Sequence, residues 1–234
     1  MRADTAPLPP SPLDQWPPRW APEAVVFDCD GLLIDTEARW VQLQDAYLAR
    51  QGVTLPPATR RSLTGASGQA VSIVLAEHLG RDPYEVGEEL MAEAMADTGH
   101  TPQPLPGALE TLRAVAARRP VAVASNSPRE MLDAKLTGLG IAGLLGASIA
   151  VEDVAEPKPA PDMYLAAARA LGAEPTQTLG FEDSEAGARA ARSAGLQLIA
   201  VPSVPGQEPA APRTLASLAD PALRTWIESW EPRR

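Results

Sequence analysis

The sequence is poor in cysteine, in aromatic residues and in long apolar runs. Its single cysteine, Cys29, excludes an internal disulfide framework and any metal site built from several thiolates. Aromatic residues make up 4% of the chain, so aliphatic side chains and alanine must supply most of the core. No apolar run approaches the ~20 residues of a membrane helix, and no apolar signal region stands at the start. We therefore expect a cytoplasmic protein with no membrane partner.

Positive charge is also scarce. The formal net charge is −10, and a surface this acidic repels nucleic acid, so we expect no nucleic-acid partner. It also repels phosphate esters at long range, so any anion site must carry its own local positive charge. Among the 20 lysines and arginines, only Lys135 and Lys158 are lysines. Because the other basic residues are all arginine, the two positions suggest a role that lysine can fill and arginine cannot.

The order of apolar and polar stretches predicts an α/β protein. Residues 1–22 form a proline-rich leader, expected to be extended, poorly ordered or draped on the surface. Residues 23–35 and 105–234 alternate short apolar runs with helical patterns, which predicts a Rossmann-like core with a parallel sheet covered by helices. The predicted strands are 24–28, 121–125, 147–151, 177–181 and 197–201, and the predicted helices between them are 107–119, 128–138, 160–171 and 184–194.

Three further segments have local signals of their own. Residues 36–104 show helical patterns at 37–51, 68–79 and 84–97 but no strand, which predicts a helical module inserted after the first strand. The "SPRE" stretch at 127–130 predicts a helix start with Ser127 as N-cap. Residues 202–213 predict a proline-rich connector before a C-terminal helix within 214–230.

Polar residues stand where four of the predicted strands end. Ligands bind at the carboxyl ends of the strands in open parallel sheets, so we expect these side chains to meet. Each has an ordinary explanation when taken alone: an Asp-Gly turn, a loop lysine, a helix cap. Only their combination indicates a site. The residues are Asp28 and Asp30, Ser125 and Asn126, Lys158, and Glu182 and Asp183.

The chemistry of this set is consistent. Several carboxylates without a histidine or cysteine cluster suit a hard cation such as Mg²⁺, which prefers oxygen ligands. Lys158 and the Ser125 hydroxyl would then hold an anion beside the cation, as phosphoryl transfer requires. A carboxylate can serve as the nucleophile of such a reaction. Strand alternation points Cys29 away from the acids on either side, which predicts a small buried filler.

Four stretches, "FDCDGLLIDTE", "VASNS", "KPAPDMY" and "GFEDSEAG", resemble in order and spacing the four motifs of the haloacid-dehalogenase-like hydrolases. The resemblance is to the β-phosphoglucomutase-like phosphatases with a helical cap, and it covers roughly residues 23–202. It implies a Mg²⁺-dependent phosphatase that hydrolyses a small phosphorylated metabolite, such as a sugar, polyol or sugar-acid phosphate, through an aspartyl-phosphate. Residues 36–104 would be the cap that closes over the substrate.

The resemblance also implies a role for each residue at the strand ends. Asp28 would be the nucleophile, and Asp30 the general acid that protonates the leaving oxygen and then the base that activates water. Ser125, Asn126 and Lys158 would bind the phosphoryl group. The metal ligands would be Asp28, Asp30 through its backbone carbonyl, Glu182 and Asp183.

Substrate choice is expected in the cap segment 60–69, where the candidates are Arg60, Arg61, Thr64 and Gln69. Two alternatives stay open at this stage. One is a sugar-phosphate mutase, although the cap histidine of that branch is replaced here by Trp40, which favours the phosphatase. The other is a binding protein without catalysis on the same fold.

Overall fold

The computed structural model describes residues 10–63, 68–96, 103–203 and 207–232. The chain divides into two compact units. The first comprises Met1–Ile34 and Pro104–Arg234, and the second comprises Asp35–Gln103. Within the described ranges, no helix is both long and apolar enough to cross a membrane.

The first unit is built on a parallel sheet, which has six strands in the described part of the chain. They are β1 Ala24–Phe27, β2 Val121–Ala124, β3 Ala147–Ile149, β4 Thr178–Glu182, β5 Gln197–Ala200 and β6 Arg213–Thr214. Their order is β3-β2-β1-β4-β5-β6, with parallel pairing throughout. The predicted Rossmann-like parallel sheet is confirmed. Strand β6 was not predicted, because its two residues are too short for any pattern.

The described residues also form nine α-helices. They are α1 Glu37–Arg50, α2 Pro57–Ser62, α3 Gly68–Leu79, α4 Pro83–Ala96, α5 Ala108–Ala116, α6 Arg129–Gly138, α7 Asp162–Ala170, α8 Glu185–Ser193 and α9 Pro221–Glu228. Helices α1 to α4 belong to the second unit. Helix α2 was not predicted, since six residues show too little periodicity.

Buried side chains cover both faces of the sheet. Because side chains alternate along a strand, Phe27 points into one cluster and Val26 into the other. Phe27 stacks on Phe181 with ring centroids 4.9 Å apart. On the opposite face, small side chains such as Ala167 and Ala188 pack helices close to the sheet. Alanine thus supplies much of the core packing on this face, as the aromatic-poor composition predicts.

The described part of the proline-rich leader packs on the first unit. Leu13 is fully buried in one core cluster. The Trp16 ring meets the Trp226 ring edge-on at 5.5 Å, and the Trp226 indole N–H donates to the Trp20 carbonyl at 2.9 Å. Residues 10–22 are therefore joined to helix α9 through aromatic contacts.

The second unit has a hydrophobic core of its own, which includes Leu75 and Leu90. In this unit, the Glu89 carboxylate accepts hydrogen bonds from two guanidinium nitrogens of Arg81, at 2.7 and 2.8 Å, and from the Tyr47 hydroxyl at 2.7 Å. The Arg81 and Tyr47 hydrogen bonds lower the pKa of Glu89 to about 2. This network connects α1, α4 and the loop between α3 and α4.

The predicted start of helix α6 is wrong in one respect. The N-cap is Pro128, and no side chain caps the helix. The hydroxyl of Ser127 instead donates to Asp30. The local pattern assigned the Ser127 hydroxyl to the helix terminus, but it is hydrogen-bonded to Asp30, which is distant in the sequence.

Candidate active site

Strands β1, β2 and β4 are neighbours, so their carboxyl ends stand side by side. Asp28 directly follows β1, Ser125 directly follows β2, and Glu182 ends β4. All three are buried, as are Lys158 and Asp183. These residues are spread along the chain from Asp28 to Asp183, and the strand order brings them to one edge of the sheet.

Lys158 lies at the centre of this group. Its ammonium donates to Asp28 Oδ1 at 2.6 Å, to Glu182 Oε1 at 2.6 Å and to the Ala124 carbonyl at 2.8 Å. Only 4% of its side chain is exposed, so these interactions take place away from bulk solvent. A flexible ammonium with three donors fits three separate acceptors, which the planar fork of arginine does not.

Asn126 holds the loop that carries Lys158. Its side-chain N–H donates to the Lys158 carbonyl at 3.1 Å, and its oxygen accepts the Lys158 backbone N–H at 3.0 Å. Both ends of the amide are thus occupied by the backbone. The geometry places Asn126 as a support for Lys158, in addition to its predicted position beside the phosphate.

Glu182 is fully buried and accepts hydrogen bonds on both oxygens. Oε1 accepts hydrogen bonds from the Lys158 ammonium and from the Tyr164 hydroxyl, the latter at 2.5 Å. Oε2 accepts the backbone N–H groups of Asp183 and Ser184 and the Ser184 hydroxyl. A carboxylate this completely bonded has a fixed orientation and in turn fixes the ammonium of Lys158.

Asp28 differs from Glu182 because one of its oxygens is free. Its Oδ2 is buried and accepts no hydrogen bond from any residue in the described ranges. Burial raises the pKa of Asp28 well above its ordinary value; the Lys158 charge opposes this, and the neighbouring carboxylates add to it. The result is a carboxyl group with one oxygen held by Lys158 and the other available to an incoming atom.

Asp183 completes a group of three carboxylates. One oxygen from each of Asp28, Glu182 and Asp183 lies within 4.8 Å of the others. Burial, followed by the negative charge of Glu182, raises the pKa of Asp183 to about 7. The Ser203 hydroxyl donates to Asp183 Oδ2 at 2.8 Å. Lys158 alone leaves these three acids short of positive charge.

This group fits a divalent cation. The donors are all carboxylate oxygens, the ligand type that hard cations prefer. The partnerless Oδ2 of Asp28 and the raised pKa values of Asp28 and Asp183 both indicate that the acids lack a positive neighbour. Asp28, Glu182 and Asp183 could therefore hold such an ion.

Asp30 lies in a different environment from the three acids. Its Oδ2 accepts the hydroxyls of Ser125 and Ser127, both at 2.8 Å, and its Oδ1 accepts the Lys135 ammonium at 2.5 Å. Burial alone would raise the pKa of Asp30, but the Lys135 charge and the hydrogen bonds from Lys135, Ser125 and Ser127 lower it. Its carboxylate thus pairs with a lysine of its own.

A glycine lies where the two groups of acids meet. Gly31 has φ = 83°, the left-handed region that favours glycine. A Cβ atom there would lie 2.1 Å from Oδ2 of Asp183. The Asp-Gly step of the first motif therefore lets the backbone pass close to the carboxylate of Asp183.

Several members of this arrangement were not predicted from the sequence. Ser127 was assigned to a helix cap, and Lys135 was singled out only as one of two lysines. Tyr164 ends the "KPAPDMY" stretch but was given no role, and Ser203 lies outside the four motif stretches; they donate to Glu182 and Asp183 respectively. Cys29, between the acids, is fully buried, and burial raises the pKa of its thiol.

The predicted specificity residues belong to the second unit. The guanidinium of Arg60 donates to Gln44 Oε1 at 2.6 Å and to the Val41 carbonyl at 2.9 Å, and it pairs with Asp45 at 2.7 Å. It therefore ties α2 to α1. Thr64 and the side chains of Arg61 and Gln69 lie outside the described residues.

Comparison with known proteins agrees with this geometry. A family model described as haloacid dehalogenase-like hydrolase matches residues 22–195. Validoxylamine A 7'-phosphate phosphatase of Streptomyces hygroscopicus subsp. limoneus is 33% identical over 74% of this chain and 83% of that protein. Fructose-1-phosphate phosphatase YqaB of Escherichia coli is 30% identical over 76% of this chain and 95% of that protein.

A solved structure supports the same assignment. A haloacid-dehalogenase-family hydrolase from Deinococcus radiodurans, with bound phosphate and sodium, superposes with a TM-score of 0.65 at 30% identity, covering 90% of this chain and 98% of that one. The phosphatase relatives support a phosphatase activity here. The predicted family is thereby confirmed: the chain belongs to the haloacid dehalogenase-like hydrolases.

Proposed function

We propose that this hydrolase is a Mg²⁺-dependent phosphatase that cleaves a small phosphorylated metabolite through an aspartyl-phosphate on Asp28. One observation carries the proposal: Asp28 is buried with Oδ1 bonded to Lys158 and with Oδ2 free of protein partners in the described ranges. A nucleophilic carboxylate needs one oxygen held and the other free. The acids around it explain why its negative charge needs a cation nearby.

The chemistry assigned to the residues is as follows. Asp30 enters the reaction protonated; because the Lys135 charge lowers its pKa, it takes up this proton from solvent before the transfer. A carboxylate oxygen of Asp28 then attacks phosphorus while the bond to the leaving oxygen breaks, and Asp30 gives its proton to that oxygen. Asp30, now ionised, then takes a proton from water as the water oxygen attacks phosphorus and the bond between the Asp28 oxygen and phosphorus breaks. Phosphate leaves, and both aspartates return to their starting forms.

The other residues neutralise and hold charge. Lys158 and the Ser125 hydroxyl lie beside Asp28 and Asp30, where they would face the phosphoryl oxygens. Asn126 holds the backbone of Lys158, and Glu182 holds its ammonium. A Mg²⁺ ion held by Asp28, Glu182 and Asp183, with the Asp30 carbonyl as a further ligand, would neutralise charge on the transferring group.

The proposed substrate class is a phosphorylated sugar, polyol or sugar acid in the cytoplasm. The named substrates of the two phosphatase relatives, validoxylamine A 7'-phosphate and fructose 1-phosphate, support it. The groups proposed for phosphoryl transfer belong to the first unit, so we assign the choice of leaving group to the cap, residues 36–104. A mutase activity has no comparable support, since Trp40 stands at the position of the mutase histidine.

The test is phosphate release from 4-nitrophenyl phosphate with and without Mg²⁺. We expect EDTA to abolish release and Asp28→Asn to lower kcat by at least about 10³-fold, since removal of a nucleophile leaves only residual catalysis. Asp133→Asn, which changes an exposed aspartate on α6 in the same way, is the matched control. Release that persists in Asp28→Asn at the wild-type rate would exclude the mechanism.

The substrate is then identified by kcat/KM over hexose, hexitol, cyclitol and sugar-acid phosphates. The measurements are repeated with substitutions at Arg60, Arg61, Thr64 and Gln69. Substitutions that change the ranking of the esters, but not the hydrolysis of 4-nitrophenyl phosphate, assign specificity to this segment. An unchanged ranking would place specificity elsewhere.

A further inference from the structure

The sequence contains two lysines, and the proposed reaction uses only Lys158. The other, Lys135, lies on α6 with 12% of its side chain exposed. It is 105 residues from Asp30 in the sequence, yet its ammonium lies 2.5 Å from Asp30 Oδ1. A lysine in an arginine-rich chain, partly buried against the proposed proton carrier, requires an explanation.

The Asp30 carboxylate, the Lys135 ammonium and the Ser127 hydroxyl form a closed ring of hydrogen bonds. The Lys135 ammonium donates to Asp30 Oδ1 and, at 2.7 Å, to the Ser127 hydroxyl oxygen. The Ser127 hydroxyl donates in turn to Asp30 Oδ2 at 2.8 Å. Each carboxylate oxygen therefore has its own donor, and the two donors, Lys135 and Ser127, are hydrogen-bonded to each other. Such a ring fixes the position and the rotation of the carboxyl plane.

A lysine suits this ring better than an arginine. The compact ammonium directs separate hydrogen bonds to one carboxylate oxygen and one hydroxyl. A guanidinium would favour a bidentate contact with both carboxylate oxygens, which would displace Ser127. The same reasoning applies at Lys158, whose acceptors belong to three different residues. Both lysines of the chain thus stand where a point charge must serve several acceptors.

We propose that Lys135 is a positioning residue of the reaction: with Ser127, it holds the Asp30 carboxyl group at the site where a proton is given to the leaving oxygen. The proposal rests on the proposed function, in which Asp30 is the proton donor. Lys135 itself exchanges no proton and touches no reacting atom. Its effect reaches the substrate through Asp30.

This role makes a prediction about leaving groups. An alkoxide leaving group needs the proton from Asp30, whereas 4-nitrophenolate is a weak base that departs without it. In Lys135→Met, we expect kcat/KM for a sugar or polyol phosphate to fall about 10- to 100-fold, which is part of the 10²–10⁴ that a placed proton donor contributes. For 4-nitrophenyl phosphate, we expect a change within about threefold.

Further variants separate positioning from general damage. Ser127→Ala, which opens the ring at its other member, should show the same selective loss at smaller size, and it also tests the proposal if Lys135→Met fails to fold. Lys135→Arg, which restores the charge, should recover part of the loss. Arg129→Met is the control, because it removes a partly buried cation of the same helix that pairs with Asp133 and Asp153.

A double-mutant cycle with Asp30→Asn decides whether the effect passes through Asp30. Lys135→Met should cost nothing more on the alkyl ester once Asp30 is replaced. Equal losses on both esters, or full additivity with Asp30→Asn, would overturn the proposal. If the wild-type protein released phosphate from neither ester, the proposed function itself would fail, and the two failures are therefore distinguishable.

Discussion

Asp183 makes the stability of the metal-free protein depend on pH. The pKa of this buried carboxyl is about 7 in the folded protein, against an ordinary value of 3.8. As the pH rises between these values, the unfolded chain releases the proton while the folded protein retains it. The folded state then binds more protons, so the free energy of unfolding falls as the pH rises.

The size of this fall follows from the two pKa values. They differ by about three units, and each unit corresponds to about 1.36 kcal/mol. Asp183 therefore costs the metal-free protein roughly 4 kcal/mol between about pH 4 and pH 7, and the cost is constant above that range. This is a large share of the ~5–15 kcal/mol that stabilises a typical domain.

The measurement is urea unfolding in EDTA at a series of pH values from about 4.5 to 8, for wild type and Asp183→Asn. Asparagine keeps the shape and an acceptor for Ser203 but has no proton to lose. We expect the variant to gain stability over wild type progressively as the pH rises. Mg²⁺ should raise the stability of wild type more at pH 7.5 than at pH 5, since it binds the ionised carboxylates of the folded state.

The reasoning would be refuted by two parallel stability curves. If wild type and Asp183→Asn showed the same dependence on pH, Asp183 would titrate normally in the folded protein. A Mg²⁺ effect of equal size in wild type and Asp183→Asn would likewise exclude Asp183 as a ligand.

Two further predictions concern the loop after β1 and the helical unit. Gly31→Ala should destabilise the protein and abolish phosphatase activity, because its Cβ would lie 2.1 Å from Asp183 Oδ2. The control is Gly140→Ala, which is also at positive φ but whose new Cβ would meet no atom of the described residues within 4 Å; it should cost only about 1 kcal/mol in urea unfolding and retain activity. An active Gly31→Ala enzyme would contradict the close approach. Glu89→Gln should lower stability at neutral pH, because Arg81 holds the pKa of Glu89 at about 2. This difference from wild type should vanish as the pH falls from about 4.5 to about 2, and a thermal unfolding difference that persists at pH 2 would count against it.

Local pattern was sufficient for most of the secondary structure. Four-residue apolar runs such as AVVF and VAVA predicted the central strands because buried parallel strands are continuously apolar. The errors lie where a local pattern competes with a distant partner, as at Ser127, or where an element is very short, as in β6 and α2. The leader illustrates the same limit, because its tryptophans find their partners on α9, more than 200 residues later.

The sequence by itself determined which polar residues follow the strands, because chain direction and hydrophobic period place them directly after a buried run, as for Asp28 and Ser125, or in the loop that follows it, as for Lys158. It therefore pointed to Asp28, Ser125, Lys158 and Asp183 before any contact was known. Only the tertiary structure decided how the charges are paired: Lys158 with Asp28 and Glu182, and Lys135 with Asp30. Strand order and helix placement set those distances, and no local pattern encodes a contact across 105 residues.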